Sequence, residues 1–287
     1  NPLTPMALLP PDTAEQLTLI IYVAIATLAI QTWDTLVHLL DDYILVTKHP
    51  IKFPTMVYFI SRWTTLAYLV AAVMLNATPI GESHCDVTRK LTAIFYLLAV
   101  ASSELLFFLH VRAVYIDNLA AVSFLFLLWI ASFGSSLTPL VAASTVVVSG
   151  VQNINIGPIT GYCIGSQEEN APEYLMMAAI LPGIHDIFLF FALAYKILRY
   201  SCGDNDRPVE KFKTIVFGHH LPRFSKSLFL HGQAYILCLT ITNIVTIILI
   251  SLPSVPPNYG AFVFGGYPGV MIMNVMAGRL YRNTKSG

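Results

Sequence analysis

Residues 54–77 read PTMVYFISRWTTLAYLVAAVMLNA, a long apolar run that carries a single charge, Arg62. As an α-helix rising about 1.5 Å per residue, such a run can cross the roughly 30 Å hydrocarbon core of a bilayer. Six other apolar segments are also long enough to cross a bilayer, at about 17–40, 91–114, 119–140, 174–198, 228–252 and 259–281. The sequence therefore predicts an all-α protein, a bundle of seven transmembrane helices.

Basic residues are distributed unevenly around these seven segments. Arg89 and Lys90 alone lie in one set of connections. Thirteen of the 16 Lys and Arg residues lie in the alternate connections or near the C-terminal end, namely Lys48, Lys52, Arg112, Lys196, Arg199, Arg207, Lys211, Lys213, Arg223, Lys226, Arg279, Arg282 and Lys285. Because cytoplasmic loops are enriched in Lys and Arg, this asymmetry predicts an N-terminus outside and a cytoplasmic C-terminus.

Composition agrees with a membrane protein. The chain is 56% hydrophobic and 11% charged, with a mean hydropathy of +0.68, which is more apolar surface than a water-soluble protein buries. Its 287 residues show no break in composition, so we expect one domain over 1–287. Net charge is zero and the basic residues are juxtamembrane, which favours contact with the lipid bilayer and its anionic headgroups over nucleic acid.

Two cysteines fall on the predicted outer side, Cys85 before the third segment and Cys163 in the long connection after the fourth. In the plasma membrane or secretory pathway, where we expect the protein, that side is oxidising, and a Cys85–Cys163 disulfide is favoured. Unpaired thiols, or pairing with another chain, are the alternatives. The sequon at Asn76 lies so close to the predicted bilayer that we expect it to stay unglycosylated.

Ionisable residues inside the first two segments predict a buried ion pair. Asp34, His38 and Asp41 are spaced at i, i+4 and i+7, with Asp42 beside them, so they share one helix face. Arg62 lies about 12 Å into the second segment from its cytoplasmic end. Asp34 or Asp41 is its expected partner, in a structural contact between the two helices. A switch or a proton path is the alternative interpretation.

The third segment contains Glu104 near mid-membrane and His110 and Arg112 at its cytoplasmic end. Since no charge lies near Glu104 on its own helix face, we expect it to be protonated, hydrogen-bonded, or paired with His185 or another helix. His110 and Arg112 suit an inner lock that exchanges ion pairs when helices shift. They suit equally a simple anchor at the membrane surface.

Two further segments combine helix-bending residues with polar ones. The fifth reads Leu181-Pro-Gly-Ile-His185-Asp186, and the seventh contains Gly265-Gly266-Tyr267-Pro268-Gly269 followed by Asn274. Proline in a transmembrane helix frees backbone carbonyls, which are satisfied by neighbours or water. The sequence thus predicts a polar cavity near mid-membrane, lined by Glu104, His185, Asp186, Tyr267 and Asn274. Close packing through small residues is the alternative.

Two resemblances bear on function. The seven-helix plan with an outer disulfide resembles that of G-protein-coupled receptors in architecture alone, because the Asp-Arg-Tyr and Asn-Pro-x-x-Tyr motifs are absent. More specifically, the chain resembles a family of fungal, mainly basidiomycete, seven-span proteins of uncharacterised function. That resemblance rests on Trp33-Asp34, Leu40-Asp41-Asp42-Tyr43, Lys48, Lys52, Tyr58-Phe-Ile-Ser-Arg62-Trp63, Ala113-Val-Tyr115 and Arg279-Leu-Tyr-Arg282-Asn283. It implies a fungal membrane protein that is receptor-like in architecture.

Several functions remain open, and a receptor or sensor is favoured over a structural or accessory membrane protein. Glu104 and Asp186, with His185, also resemble loosely the acids of small fungal seven-span terpene cyclases, which protonate an isoprenoid. A retinal protein is disfavoured, because residues 259–281 contain no lysine for a Schiff base. That helix also lacks the histidines of membrane zinc hydrolases, so we expect no metal.

Expected partners follow from the same features. A bound lipid or sterol is the only small molecule that the sequence favours, and no other cofactor is expected. The mixed-charge stretch at 201–227 suits docking of a cytoplasmic protein, or it serves as a plain connector. Association into homo-oligomers is left open.

Overall fold

A computed structural model gives the structure of the chain, and it describes residues 11–48, 50, 52–80, 82–116, 118–141, 163, 171–201, 223–252 and 261–286. Within these residues the chain is all-helical, as predicted. In chain order the elements are α1 (Pro11–Val37), α2 (Leu39–Lys48), α3 (Phe53–Ala77), α4 (Glu82–Val114), α5 (Leu119–Ser136), α6 (Ala171–Ser201), α7 (Arg223–Ser251), a π-helix (Ala261–Gly269) and α8 (Val270–Ser286).

Length and composition of the helices indicate an integral membrane protein. Five stretches of the described helices are long and apolar enough to cross a bilayer, at Ala14–Val37, Phe53–Ala77, His84–Val114, Leu119–Val141 and Met177–Lys196. A shorter apolar stretch, Leu237–Ser251, lies in α7. Large apolar side chains such as Trp33 and Leu40 point outward, as a lipid-facing surface requires. The count of seven spans and the orientation of the termini stay predictions, and the words outer and inner name the predicted non-cytoplasmic and cytoplasmic sides.

The first predicted segment, 17–40, is not one uninterrupted helix. α1 ends at Val37, His38 forms a turn, and α2 begins at Leu39. At this point the Asp34 carbonyl accepts a hydrogen bond of 2.9 Å from Arg62 Nη2, and the backbone bond from His38 N to the same carbonyl is long, at 3.3 Å. A side chain that competes for a helical carbonyl is a recognised cause of such breaks.

α4 is the central helix of the bundle, and it packs against α3, α5, α6 and α8. Small side chains on its buried faces, among them Ala99 and Ser103, allow these neighbours to approach closely. Its inner end is fixed by Tyr115, whose hydroxyl donates a 2.6 Å hydrogen bond to the Ala192 carbonyl of α6. Ser103 and Glu104 therefore lie where four helices meet.

The sequence predicts helix bends at Pro182 and Pro268, and the two sites differ in the structure. α6 continues through Pro182 from Ala171 to Ser201. The Gly-Gly-Tyr-Pro-Gly stretch instead lies in the π-helix Ala261–Gly269, which leads directly into α8. Pro268 has no backbone N–H and cannot make an α-helical bond to the preceding turn. A π-helix accommodates the interruption without ending the helix.

Gly265 marks a close approach of the π-helix to α7. A Cβ at this position would lie 2.6 Å from Thr246 Cγ2 and 2.9 Å from Thr246 Oγ1. We expect Gly265→Ala to lower the free energy of unfolding by about 1–3 kcal/mol through overpacking. The measurement is reversible denaturation in detergent micelles.

Two variants check the Gly265 prediction. Thr246→Ala removes both clashing atoms, so the double variant should recover most of the loss. Gly134→Ala is the matched control, since a Cβ there meets nothing within 4 Å; its stability should be unchanged or raised, because alanine favours a helix. A Gly265→Ala protein as stable as the parent would contradict the close approach.

The structure pairs Cys85, near the outer end of α4, with Cys163, as the sequence predicts; their Cα atoms are 5.6 Å apart. The bond joins positions separated by 78 residues. It attaches the connection between α5 and α6 to the outer end of the central helix. Whether that connection covers a site lies outside the described residues, as 142–162 and 164–170 are not among them.

Candidate functional site

Buried polar side chains form three groups in the bundle. The first, which we call the inner cluster, comprises Asp34, Asp42, Tyr58, Arg62 and Arg282. The Arg62 guanidinium is 4% exposed; Nη1 lies 3.1 Å from Asp42 Oδ2, and Nη2 lies 3.9 Å from Asp34 Oδ2. The structure thus gives Arg62 two acidic neighbours, with Asp42 the nearer.

Asp41, the other expected partner of Arg62, lies elsewhere. Its side chain is 62% exposed, and its Oδ2 is 3.2 Å from His38 Nδ1. His38 Nε2 is also 3.6 Å from Asp34 Oδ1. Asp42, not Asp41, lies against α3, where Tyr58 and Arg62 contact it. The structure thus places Asp34 but not Asp41 beside Arg62; the i, i+4, i+7 spacing treats 34–42 as one helix, whereas α1 ends at Val37.

Tyr58 is the hub of the inner cluster, and sequence reasoning missed it. Its hydroxyl donates to Asp42 Oδ1 at 2.6 Å and accepts from Arg282 Nη1 at 2.7 Å and from Arg62 Nη1. A hydroxyl has one donor and two acceptor positions, so all three are used. The half-exposed Arg279 adds a contact of 3.7 Å to Asp34 Oδ1. In the sequence, Arg279 and Arg282, three residues apart on α8, could have indicated that the last helix contributes basic groups to this cluster.

The second group, the central network, links four helices through neutral side chains. Gln31 Nε2 donates to Asn274 Oδ1 at 2.9 Å, and Asn274 Nδ2 donates to Ser61 Oγ at 2.6 Å. Ser61 Oγ in turn lies 2.7 Å from Ser103 Oγ. All four residues are buried. Asn274 therefore joins α8 to α1 and α3, and the serine pair joins α3 to α4.

The third group, the acid–histidine site, lies between α4, α5, α6 and α7. Ser132 Oγ donates a 2.6 Å hydrogen bond to Glu104 Oε1. On α6, His185 Nδ1 is 3.6 Å from Asp186 Oδ1, beyond hydrogen-bond reach, and Asn243 Nδ2 donates to Asp186 Oδ2 at 3.3 Å. Glu104 lies within electrostatic range of His185 and Asp186. Its hydrogen bond from Ser132 is one of the alternatives that the sequence leaves open, whereas a direct bond to His185 is not among the contacts of the described residues.

Several polar atoms of this site have no hydrogen-bond partner among the described residues. They are Glu104 Oε2, both ring nitrogens of His185, and Ser136 Oγ. All three side chains are fully buried, at 0% exposure. Ser136 lies one helical turn from Ser132 on the same face of α5. Buried polar atoms are almost always satisfied, so this concentration of unsatisfied atoms is unusual.

The five side chains predicted to line one cavity do not come together. Glu104, His185 and Asp186 form the acid–histidine site, whereas Asn274 belongs to the central network. Tyr267 lies further out, where its hydroxyl accepts a 3.0 Å hydrogen bond from Asn76 Nδ2. Tyr267 and Asn274 are seven residues apart, about 10 Å along a helix, which separates them in depth.

Asn76, in the only glycosylation sequon of the chain, is engaged inside the bundle. Besides the bond to Tyr267, its Nδ2 donates to the Ala72 carbonyl at 2.7 Å. A glycan on this nitrogen would break both contacts. The geometry therefore agrees with the expectation that Asn76 is unmodified.

His110 and Arg112 do not form the expected inner lock within the part of the chain that is described. His110 is half-buried, Arg112 is exposed, and no described carboxylate pairs with either. The acids at this end lie on α1 and α2; α1 packs against α3 and the π-helix, and Asp42 of α2 contacts Tyr58 and Arg62 of α3. The ion pairs consequently form at Arg62 and Arg282 instead.

Two other predictions concern the docking stretch at 201–227 and the absence of a metal site. Most of the suggested docking stretch, 202–222, lies outside the described residues. Among the described side chains, no group of three or more His, Cys, Asp or Glu is placed to hold a metal ion.

The chain matches no family model, no curated protein and no solved structure.

Proposed function

We propose that this protein is a receptor-like or sensor protein with seven membrane spans, an outer N-terminus and a cytoplasmic C-terminus, and that its ligand binds at the acid–histidine site. The observation that carries the proposal is a set of fully buried polar atoms without a hydrogen-bond partner, Glu104 Oε2, Ser136 Oγ and His185 Nε2, together with His185 Nδ1, which is 3.6 Å from Asp186 Oδ1. They come from three helices, α4, α5 and α6.

These polar atoms are energetically costly without a ligand. A buried polar atom left without a partner costs about 1–3 kcal/mol. An ionisable side chain at the centre of a transmembrane helix costs about 2.5–3.5 kcal/mol on insertion scales. Such costs persist mainly where function requires them. A structural or accessory protein has no need to gather them in one place, and this favours a binding site.

The surroundings indicate the class of ligand. Glu104 Oε2 and the ring nitrogens of His185 call for a group that both donates and accepts hydrogen bonds, such as a hydroxyl. Trp129, whose Nε1 donates to the Ala101 carbonyl at 3.2 Å, lies one helical turn from Ser132 among stacked aromatic rings. An apolar body suits these rings and entry from the bilayer. We therefore propose a lipid or sterol with a hydroxyl head.

The seven-span plan has its own support. α7 has 29 residues, and the π-helix with α8 continues from Ala261 to Ser286. Either is long enough to cross a membrane at about 1.5 Å per residue. With the five apolar stretches and the one-sided distribution of Lys and Arg, this supports seven spans and a cytoplasmic C-terminus. Membership in the fungal seven-span family is part of the proposal and rests on the sequence resemblance, above all on Trp33-Asp34 and Tyr58-Phe-Ile-Ser-Arg62-Trp63.

Native mass spectrometry of the protein extracted with its own lipids tests the ligand. We expect the parent protein to carry an adduct of lipid or sterol mass. Glu104→Met, which removes both carboxyl oxygens at nearly constant volume, should reduce its occupancy about tenfold or more, the effect of losing about 1.4 kcal/mol of binding. The matched control is Ser102→Ala, because Ser102 bonds only to carbonyls of its own helix.

Two results would overturn the proposal. One is a parent protein free of adducts under conditions that keep it folded. The other is an adduct of equal occupancy in Glu104→Met and the parent, which would place the lipid on the outer surface of the bundle.

A further inference from the structure

The inner half of the last helix is held by polar contacts at two levels. At the first level, Asn274 accepts from Gln31 of α1 and donates to Ser61 of α3. At the second, about two turns further along α8, Tyr281 Oη lies 2.7 Å from Thr55 Oγ1 and Arg282 Nη1 donates to the Tyr58 hydroxyl. Every one of these bonds joins α8 to another helix.

Tyr58 is the point at which α8 meets the charged groups of α2 and α3. The Tyr58 ring stacks on Tyr281 with centroids 5.1 Å apart, and Gly278 leaves room for it, since a Cβ there would lie 3.2 Å from Tyr58 Cε2. Its hydroxyl is shared by Asp42, Arg62 and Arg282. Loss of the Arg282 bond would leave Tyr58, Asp42 and Arg62 bonded to one another. Movement of the inner end of α8 would also break the Tyr281–Thr55 bond and the longer contacts of Arg279 and Arg282 with Asp34, at 3.7 and 4.0 Å.

The other end of α8 joins a segment whose helical hydrogen bonding is irregular. The π-helix Ala261–Gly269 precedes α8 without a loop, and Pro268 prevents an α-helical bond at the junction. π-helical turns and proline are frequent sites of helix bending. The close contact of Gly265 with Thr246 holds this segment against α7. α8 is thus anchored at its outer end and held at its inner end by exchangeable contacts.

We propose that α8 is a moving element of this protein, with the π-helix as its hinge and the Arg282–Tyr58 hydrogen bond as the latch that keeps its inner end against α3. When the latch opens, Arg282 and Tyr281 leave α3, and Asp34, Asp42 and Arg62 face the space that α8 has vacated. Packed interfaces of this kind switch between discrete arrangements rather than deform gradually. The inference does not require a ligand at the acid–histidine site.

Distance measurement by double electron–electron resonance tests the latch. Spin labels are attached at Arg112→Cys and Asn283→Cys, two exposed positions at the inner ends of α4 and α8. Cys202 and Cys238 are replaced by serine, and the Cys85–Cys163 bond is kept. The parent should show one predominant distance. Tyr58→Phe keeps the ring stacking but removes the hydroxyl, so the population at a longer distance should rise about tenfold relative to the latched one.

A control and a second variant make the test decisive. Tyr43→Phe removes a hydroxyl from an exposed tyrosine on α2 and should leave the distance distribution unchanged. Arg282→Gln removes the latch donor from the side of α8 while Tyr58, Asp42 and Arg62 remain bonded; if Tyr58→Phe does not fold, this variant decides. Parent-like distributions in the folded variants would overturn the proposal.

Discussion

Replacing Arg62 with methionine should lower the free energy of unfolding by about 3–5 kcal/mol, because Asp42 would be left as a buried acid without its basic partner and Asp34 would lose one of its basic neighbours. The substitution also removes hydrogen bonds to the Tyr58 hydroxyl and to the Asp34 carbonyl. Reversible unfolding of the detergent-solubilised protein, followed by circular dichroism, measures the change.

Two comparisons identify the cause of the Arg62 effect. Asp41→Asn alters an acid that is 62% exposed and should change stability by less than about 0.5 kcal/mol. Combining Arg62→Met with Asp42→Asn should recover part of the loss, because the second change removes the unpaired charge. An Arg62→Met protein within about 1 kcal/mol of the parent would rule out a stabilising role for the inner cluster.

Asn274→Leu is expected to have the second largest effect, a loss of about 2–4 kcal/mol. It leaves the Gln31 amide without its acceptor and Ser61 without its donor, both in buried surroundings. Denaturation under the same conditions provides the measurement. Asn283→Ala, at an exposed position on the same helix, is the control and should be nearly neutral.

A double-mutant cycle sharpens the Asn274 prediction. Gln31→Leu and Asn274→Leu remove opposite sides of one hydrogen bond, so their effects should fall short of additivity by about 0.5 kcal/mol or more. Strict additivity would mean that the two amides do not interact, and the central network would lose its link between α1 and α8.

The all-helical architecture could be predicted because long apolar segments have few alternatives in a bilayer. The disulfide followed from the side on which each cysteine falls. Helical spacing placed Asp34 on the polar face toward Arg62, although it wrongly included Asp41, and the depth of Glu104 indicated that it needs a proton, a hydrogen bond or a partner on another helix. In each case a local pattern, with the membrane as solvent, narrowed the arrangements that satisfy the polar groups.

Other features depend on contacts between distant parts of the chain. Asp42 rather than Asp41 contacts Arg62, and the helix is interrupted at His38, close to the point where Arg62 binds the Asp34 carbonyl. The serines of the polar groups could not be singled out either. Many hydroxyls in these helices simply bond to their own preceding turn, as Thr27 and Ser102 do. Only the packing of α3, α4 and α5 shows that Ser61, Ser103 and Ser132 bond across helices.

Electron cryomicroscopy of the protein in lipid nanodiscs tests the ligand site most directly. We predict density that extends from Glu104 Oε2 and the His185 ring toward the aromatic side chains around Trp129, with the length of a lipid or sterol and a polar end at the acid–histidine site. Closely packed side chains around Glu104, with nothing larger than water against its free oxygen, would contradict a ligand at this site.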